Sequence, residues 1–359
     1  MSTYGNGTVT QVKRWGEDIC EVRLEMEDGT SSRGVVLEQL TGEVREGDEV
    51  VANTTAVELG LGSGGYHFVI WNLSRRSLDT GGEGHIMKLR YTPMQVNVKA
   101  AEEMLTGPGT EDLGNILAGM PIIAGELHSQ LLPVALAFRE ARPDGRLAYL
   151  MTDGGCLPAS FSHAARFLRE KGYLESVISC GHAFGGDLEA VTVYGALVAA
   201  RSLVRADAAV VLMGPGIVGT GSTLGFSGIE QGTVINAAAS LGGTAIAIPR
   251  ITFGDERERH MGISHHTTAA LKYAARARAT IAVPVMQAGR SQLVHRQLAE
   301  SGLDEIHDVR EVAAEVVLDL MEHCDIKGSV MGRGPDEEPE YFMAAGAAGM
   351  LAAGDGGEF

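Results

Sequence analysis

Apolar and polar residues alternate along the first part of the chain. TVTQVKRW, DICEVRLEME, SSRGVVLEQL and DEVVANTTAVEL are rich in β-formers, and three of them carry a period of two. Turn segments such as EDGT and REGDE separate them, and a glycine turn leads into a further apolar strand in GLGSGGYHFVIWNL. Residues 1–75 are therefore expected to form a small all-β domain, a barrel or a sandwich. Residues 76–118 read as a connector. HIMKLRYTPMQVNV looks extended, AAEEML helical, and TGPGT breaks the chain.

From about residue 119 the rhythm changes. Short continuous apolar runs (MPIIAGEL, RLAYLMT, LESVISC, DAAVVLM, TAIAIPRI, TIAVPVM) alternate with helix-like segments. The latter include SQLLPVALAFREA, FSHAARFLREKG, LEAVTVYGALVAARSLV, GTVINAAASLGG, HHTTAALKYAARAR, SQLVHRQLAESG and VAAEVVLDLMEHC. KGSVMG reads as a last strand and GDGGEF as a loose tail. Uninterrupted apolar strands between helices predict βαβ units, a parallel Rossmann-like sheet covered on both faces, over residues 119–359. Right-handed crossovers put every strand C-terminus on one edge, where such sheets bind ligands.

That geometry gives the polar loops a common address. TDGGCLPAS, CGHAFGGD, GPGIVGTGSTLGFSG and RITFGDERERHMGISHH each follow a strand, so together they predict a ligand crevice. Gly214, Gly216 and Gly219 match G-x-G-x-x-G, but no acidic residue stands about 20 positions on, and Pro215 removes an amide donor. Gly216, Gly221 and Ser222 resemble a phosphate loop without its lysine, and G-x-S-x-G fails at Ser222 and Ser227. What remains is a turn whose amides can approach an anion, or one that simply packs tightly.

Cys180 and His182 stand two apart and could form a nucleophile–base pair or ligate metal. Asp187 could join them or cap the following helix. Asp153 could ligate metal or ribose, or shape its turn, and Cys156 is a lesser nucleophile candidate. RERHMGISHH holds two arginines and three of the eleven histidines. Ser264 is placed as a helix N-cap, with His265 and His266 opening the helix. Arg257 and Arg259 suit phosphate or carboxylate oxygens. The stretch reads as an anion cradle, with a divalent-metal site through His260 and His265 or His266, and a solvated loop, as alternatives.

Composition narrows the partners. A net charge of −17 argues against nucleic acid and anionic membranes, and 5% aromatics leaves few stacking platforms. No run approaches the ~18 apolar residues of a membrane helix, and MSTYGNGTVT lacks signal-peptide character. Four dispersed cysteines without a C-x-x-C pair fit a reduced, cytoplasmic protein.

The runs GHIMKLRYTPMQ, SCGHAFGGDLEAVTVYGALVAARSLVRADAAVVLMGPGIVGTGSTLGFSGIEQG and RERHMGISHHTTAAL resemble a bacterial family known only as the domain of unknown function numbered thirty-eight sixty-six. The resemblance spans nearly the whole chain and implies a bacterial cytosolic protein. It carries no activity and no site residues. The residues themselves lead to an enzyme, or an enzyme-like protein, acting on a small phosphorylated or carboxylated metabolite. His182 or His260 would serve as acid or base, with Asp153 or Asp187 orienting it. The alternatives are a divalent-metal hydrolase using the same set, and a non-catalytic sensor or assembly protein; a homo-oligomer is compatible with each of these readings.

Overall fold

The computed structural model describes residues 2–79, 81–105 and 113–354. The TGPGT breaker and the tail beyond Gly354 lie outside the described residues. The chain divides into two compact units, Met1–Lys99 and Ala100–Phe359, so the division falls inside the stretch read as a connector.

The first unit is a closed five-stranded barrel. Its strands are β1 (Tyr4–Arg14), β2 (Ile19–Met26), β3 (Ser31–Leu37), β4 (Glu49–Asn53) and β5 (Tyr66–Asn72), in the order β1-β2-β3-β5-β4. Two short helical turns, α1 (Glu38–Thr41) and α2 (Thr55–Glu58), interrupt the meander. Alternation does the work: Cys20, Val22 and Leu24 of β2 point inward with Val9, Val36, Val50, Ala52 and Val69. Pairing of β1 with both β2 and β4 closes the sheet, leaving no edge for unwanted strand addition. A hairpin of β6 (Ile86–Lys88) and β7 (Val96–Val98) follows.

The second unit is built on eight parallel strands. They are β8 (Pro121–Ala124), β9 (Leu147–Thr152), β10 (Ser176–Cys180), β11 (Leu188–Ala190), β12 (Ala208–Met213), β13 (Thr244–Ala247), β16 (Thr280–Pro284) and β17 (Asp308–Val312). A small antiparallel pair, β14 (Ile251–Thr252) with β15 (Gly262–Ile263), sits in the connection after β13. The main order is β11-β10-β9-β12-β8-β13-β16-β17. Every residue of β9 and of β12 is buried, as continuous apolar runs require when helices cover both faces. Ile122 and Ala124 join the core on one face, with α5 (Val193–Ser202), α6 (Glu230–Ser240) and the turn after α7 (His265–Ala269). Ile123 joins the other, with α3 (Leu131–Ala141), α4 (His163–Glu170), α10 (Val316–Glu322) and α11 (Pro339–Ala353). Two further helices, α8 (Ala288–Ser301) and α9 (Leu303–Ile306), link β16 to β17.

Three local readings are corrected. KGSVMG is not a strand: only Val330 bridges, to Arg333, across a tight turn. LEAVTVYGALVAARSLV is not one helix, because Leu188–Ala190 forms the edge strand β11. The helix starts at Val193, with Thr192 accepting the Gly195 N–H, so Asp187 is not its cap. β17 and α11 also escaped the pattern. β17 is largely exposed and shows little apolar signal. α11 is buried almost all round, so PEYFMAAGAAGMLAA carries no amphipathic period. Small residues let α11 lie close on α3: a Cβ on Gly349 would stand 2.5 Å from the Val134 carbonyl oxygen.

β8 sends its connection toward β9 over one face. Its neighbours β12 and β13 send theirs toward the far edge over the other. The chain therefore parts above the C-terminal ends of β8, β12 and β13, the place where an open parallel sheet forms a crevice.

Candidate functional site

Two adjoining lobes open at that parting. The smaller, about 200 Å³, is lined by Ile217–Thr220 of the β12 loop, by Arg250, Arg257, Arg259, His260 and His266 after β13, and by Met331. The larger, about 530 Å³, runs from Leu127–Ser129 after β8 past Pro215–Ile217 to Ile326–Met331. Ile217 and Met331 belong to both.

The floor is charged and buried. β13 ends in Ile248-Pro249-Arg250, and Arg250 is 1% exposed. Its backbone N–H donates to Thr267 Oγ1 at 2.9 Å, its Nη2 lies 3.3 Å from Asp255 Oδ2, and its Nε finds no partner. Asp255 also accepts from Arg257 through Nε at 2.8 Å and Nη2 at 2.7 Å, and stands 3.6 Å from Arg333. The Arg257 hydrogen bonds hold its carboxyl well below the usual range, against the burial that opposes them. Arg333 is in turn tied to buried Glu338, which accepts the Phe253 and Gly254 N–H groups.

Glu126 follows β8 directly and is fully buried. One carboxylate oxygen accepts the Thr267 hydroxyl, while the other has no partner. Burial pushes the group up to about 7, although Thr267 and Arg250 pull the other way. His128, on the same loop, is driven down to about 4 by burial. Its ring joins Ser162 Oγ at 2.9 Å and Tyr149 OH at 3.3 Å. Ser162 is also committed, since its hydroxyl accepts the Ala165 N–H and caps α4.

The three histidines of RERHMGISHH cluster beside the small lobe, which His260 and His266 line and His265 does not. Ring centroids lie 4.9 Å apart for His260 and His265, 5.1 Å for His260 and His266, and 4.3 Å for His265 and His266. Ser264 caps α7 by accepting the His266 N–H and bonds His260 Nδ1 at 2.8 Å. His266 stacks on Phe226 with centroids 4.0 Å apart. Burial first, and the neighbouring arginines, push His260 down to about 4. Burial, then the other two histidines, takes His266 to about 3, and His265 is lowered by burial and Arg259. All three shifts favour the neutral imidazole.

The remaining sequence candidates sort by position. Gly216 and Gly219 line the lobes; Gly214, Gly221 and Ser222 do not. A Cβ on Gly214 would meet the Cys156 carbonyl oxygen at 2.2 Å, so this glycine serves the close approach of the β9 and β12 loops. Ser222 bonds within its own turn, to Thr220 Oγ1 at 2.8 Å and to the Gly225 N–H at 3.1 Å. Asp153 accepts the His182 N–H at 2.9 Å, pinning the ends of β9 and β10 together, and neither residue lines a lobe. Cys180 is buried with its thiol on the Met151 carbonyl oxygen, and burial pushes the Cys156 thiol up to about 12, far from a ready nucleophile. Asp187 accepts from the Val177 N–H and Arg169 Nε, both at 2.8 Å. Arg257 is spent on Asp255, whereas no ion pair engages Arg259 among the described residues. Sequence reasoning missed Glu126, His128 and Arg250. The signal was there: MPIIAGEL and TAIAIPRI each set a charge at the mouth of an apolar strand.

No helix among the described residues is long and apolar enough to cross a membrane. No curated protein matches the chain. A family model described as "Protein of unknown function (DUF3866)" matches residues 33–349, and the chain belongs to that family.

Proposed function

We propose that the protein is an enzyme acting on a small phosphorylated or carboxylated metabolite held in this crevice. One observation carries the reading: Arg250 and Arg259, neither saturated by a carboxylate, line the same small lobe as two neutral histidines. A guanidinium fork matches an oxyanion, and Arg250 presents one from the buried floor of the lobe. The small lobe takes the anionic head. The larger lobe, with Leu127, Leu132, Phe161 and Ile217 beside His128, Ser129 and Lys327, takes a body of mixed polarity. His260 and His266 are the acid–base candidates nearest the head group, in place of the more distant His182.

A thermal-shift screen against phosphate, nucleotides and small carboxylates tests this. A true ligand at about 100 times its Kd stabilises by roughly 2.7 kcal/mol, which raises the melting temperature by about 5–10 °C. Arg259→Ala is expected to cost about 10- to 100-fold in affinity with the unliganded melting temperature nearly unchanged. Arg257→Ala is expected to lower melting as well, because its fork braces Asp255. If no anion stabilises the wild type, or Arg259→Ala binds as well, the reading is wrong.

A further inference from the structure

We propose that His260, His265 and His266 form a site for one first-row transition-metal ion of the zinc class, with an open coordination position at the arginine-lined lobe. This goes beyond anion binding, which needs no metal, and it replaces the acid–base role given above to His260 and His266, since a ring nitrogen bound to metal keeps no lone pair for a proton.

The geometry is the first support. One donor atom from each residue lies within 4.8 Å of the other two. A tetrahedral ion about 2.0–2.1 Å from three imidazole nitrogens sets the ring centroids about 5 Å apart. The observed spacings of 4.9, 5.1 and 4.3 Å match that scale, so ring rotations of roughly an ångström complete the cluster.

The second support is unspent bonding capacity. His265 Nε2 and His266 Nδ1 are buried with no hydrogen-bond partner, although His266 is only 8% exposed. Three rings packed merely as a core would be expected to satisfy those nitrogens or to be replaced by apolar side chains. The supporting contacts are those of a ligand set. Ser264 holds His260 by Nδ1, leaving Nε2 to donate, and the Phe226 stack fixes the plane of His266.

The donor set selects the ion. Nitrogen-only ligands suit zinc, copper, iron or nickel, whereas magnesium and calcium want oxygen. Asp255 is taken by three arginines and supplies no fourth ligand. Three protein donors with the fourth place open is the pattern of catalytic rather than structural zinc. Arg250, Arg257 and Arg259 oppose a bare cation here. They favour one whose fourth ligand is an anion, such as hydroxide or a phosphate or carboxylate oxygen. A metal bound there supplies Lewis acidity and an acidified water.

The test uses the full chain without a polyhistidine tag, stripped with a chelator and titrated in chloride buffer with Co2+, then Zn2+. The expected result is one equivalent per chain, with the visible absorption of four-coordinate cobalt, displaced by zinc. Since losing an outer-shell contact alone costs about 10–100-fold, loss of a ligand in His265→Ala is expected to weaken binding at least about 100-fold. His265→Gln, which keeps a polar side chain, is expected to do the same, while the exposed His323→Ala binds as wild type. Melting of the metal-free variants checks that they are folded. Absence of saturable binding, or unchanged binding in both His265 variants, overturns the site. Because no phosphate or carboxylate is present, failure here leaves the anion screen to stand or fall separately.

Discussion

Asp255→Ala is expected to destabilise the α/β unit by roughly 3–5 kcal/mol, the usual cost of leaving a buried charge without its partner. Asp255 and Arg250 have side chains only 4% and 2% exposed, so water cannot replace the lost carboxylate. The same substitution frees Arg257 and removes one of two anions beside Arg333. At roughly 2–4 °C per kcal/mol for a unit of this size, melting should fall by about 10 °C. Asp255→Asn keeps the shape and part of the hydrogen bonding, and should fall between the alanine variant and wild type. A loss below 1 kcal/mol for alanine in a denaturant titration would mean that Asp255 does not organise this floor. The prediction bears on function because Asp255 fixes where Arg250 and Arg257 point.

Glu126→Gln is expected to change the pH dependence of stability. In the folded protein burial raises this carboxyl to about 7, from a reference value of 4.5. The folded state therefore binds the proton more tightly than the unfolded chain. Stability from this group is fully present below pH 4.5 and is lost as pH rises through about 7. At 1.36 kcal/mol per unit the loss is roughly 3 kcal/mol. Glutamine keeps the acceptor for Thr267 and cannot ionise. Relative to wild type it should gain stability steadily between about pH 4.5 and 7, then hold level. The histidines driven down by burial slope the opposite way, with stability rising with pH up to their unfolded value. They contribute equally to both proteins, so the difference isolates Glu126. A wild-type-minus-variant curve that is flat across this range would show that Glu126 ionises freely, with water reaching its second oxygen.

Much of this architecture was legible from periodicity. Barrel strands alternate because one face is wet, and β9 and β12 read as solid apolar runs because neither face is. Each of those patterns is local. α11 is invisible for the opposite reason: with nearly every position buried, no stripe marks it as a helix. β11 and β17 lie at the sheet's edges and hide behind polar residues. The site divides the same way. RERHMGISHH declared itself by composition, and the Ser264 cap was readable from residue order. That three rings would meet at one point, and that Arg257 rather than Arg259 would be absorbed by Asp255, depends on how the loop folds back through β14 and β15. Glu126 and Arg250 were passed over as strand ends, although a charge closing an apolar strand has to find a partner or a ligand.

The most direct test of the crevice is where an oxyanion binds. Crystals of the full chain soaked in tungstate, a heavy analogue of phosphate, would reveal it by anomalous scattering. The account predicts a strong peak in the smaller lobe, within hydrogen-bonding distance of Arg250 or Arg259, that is lost on competition with the ligand found in the thermal screen. Peaks at other surface arginines with none in this lobe would contradict it.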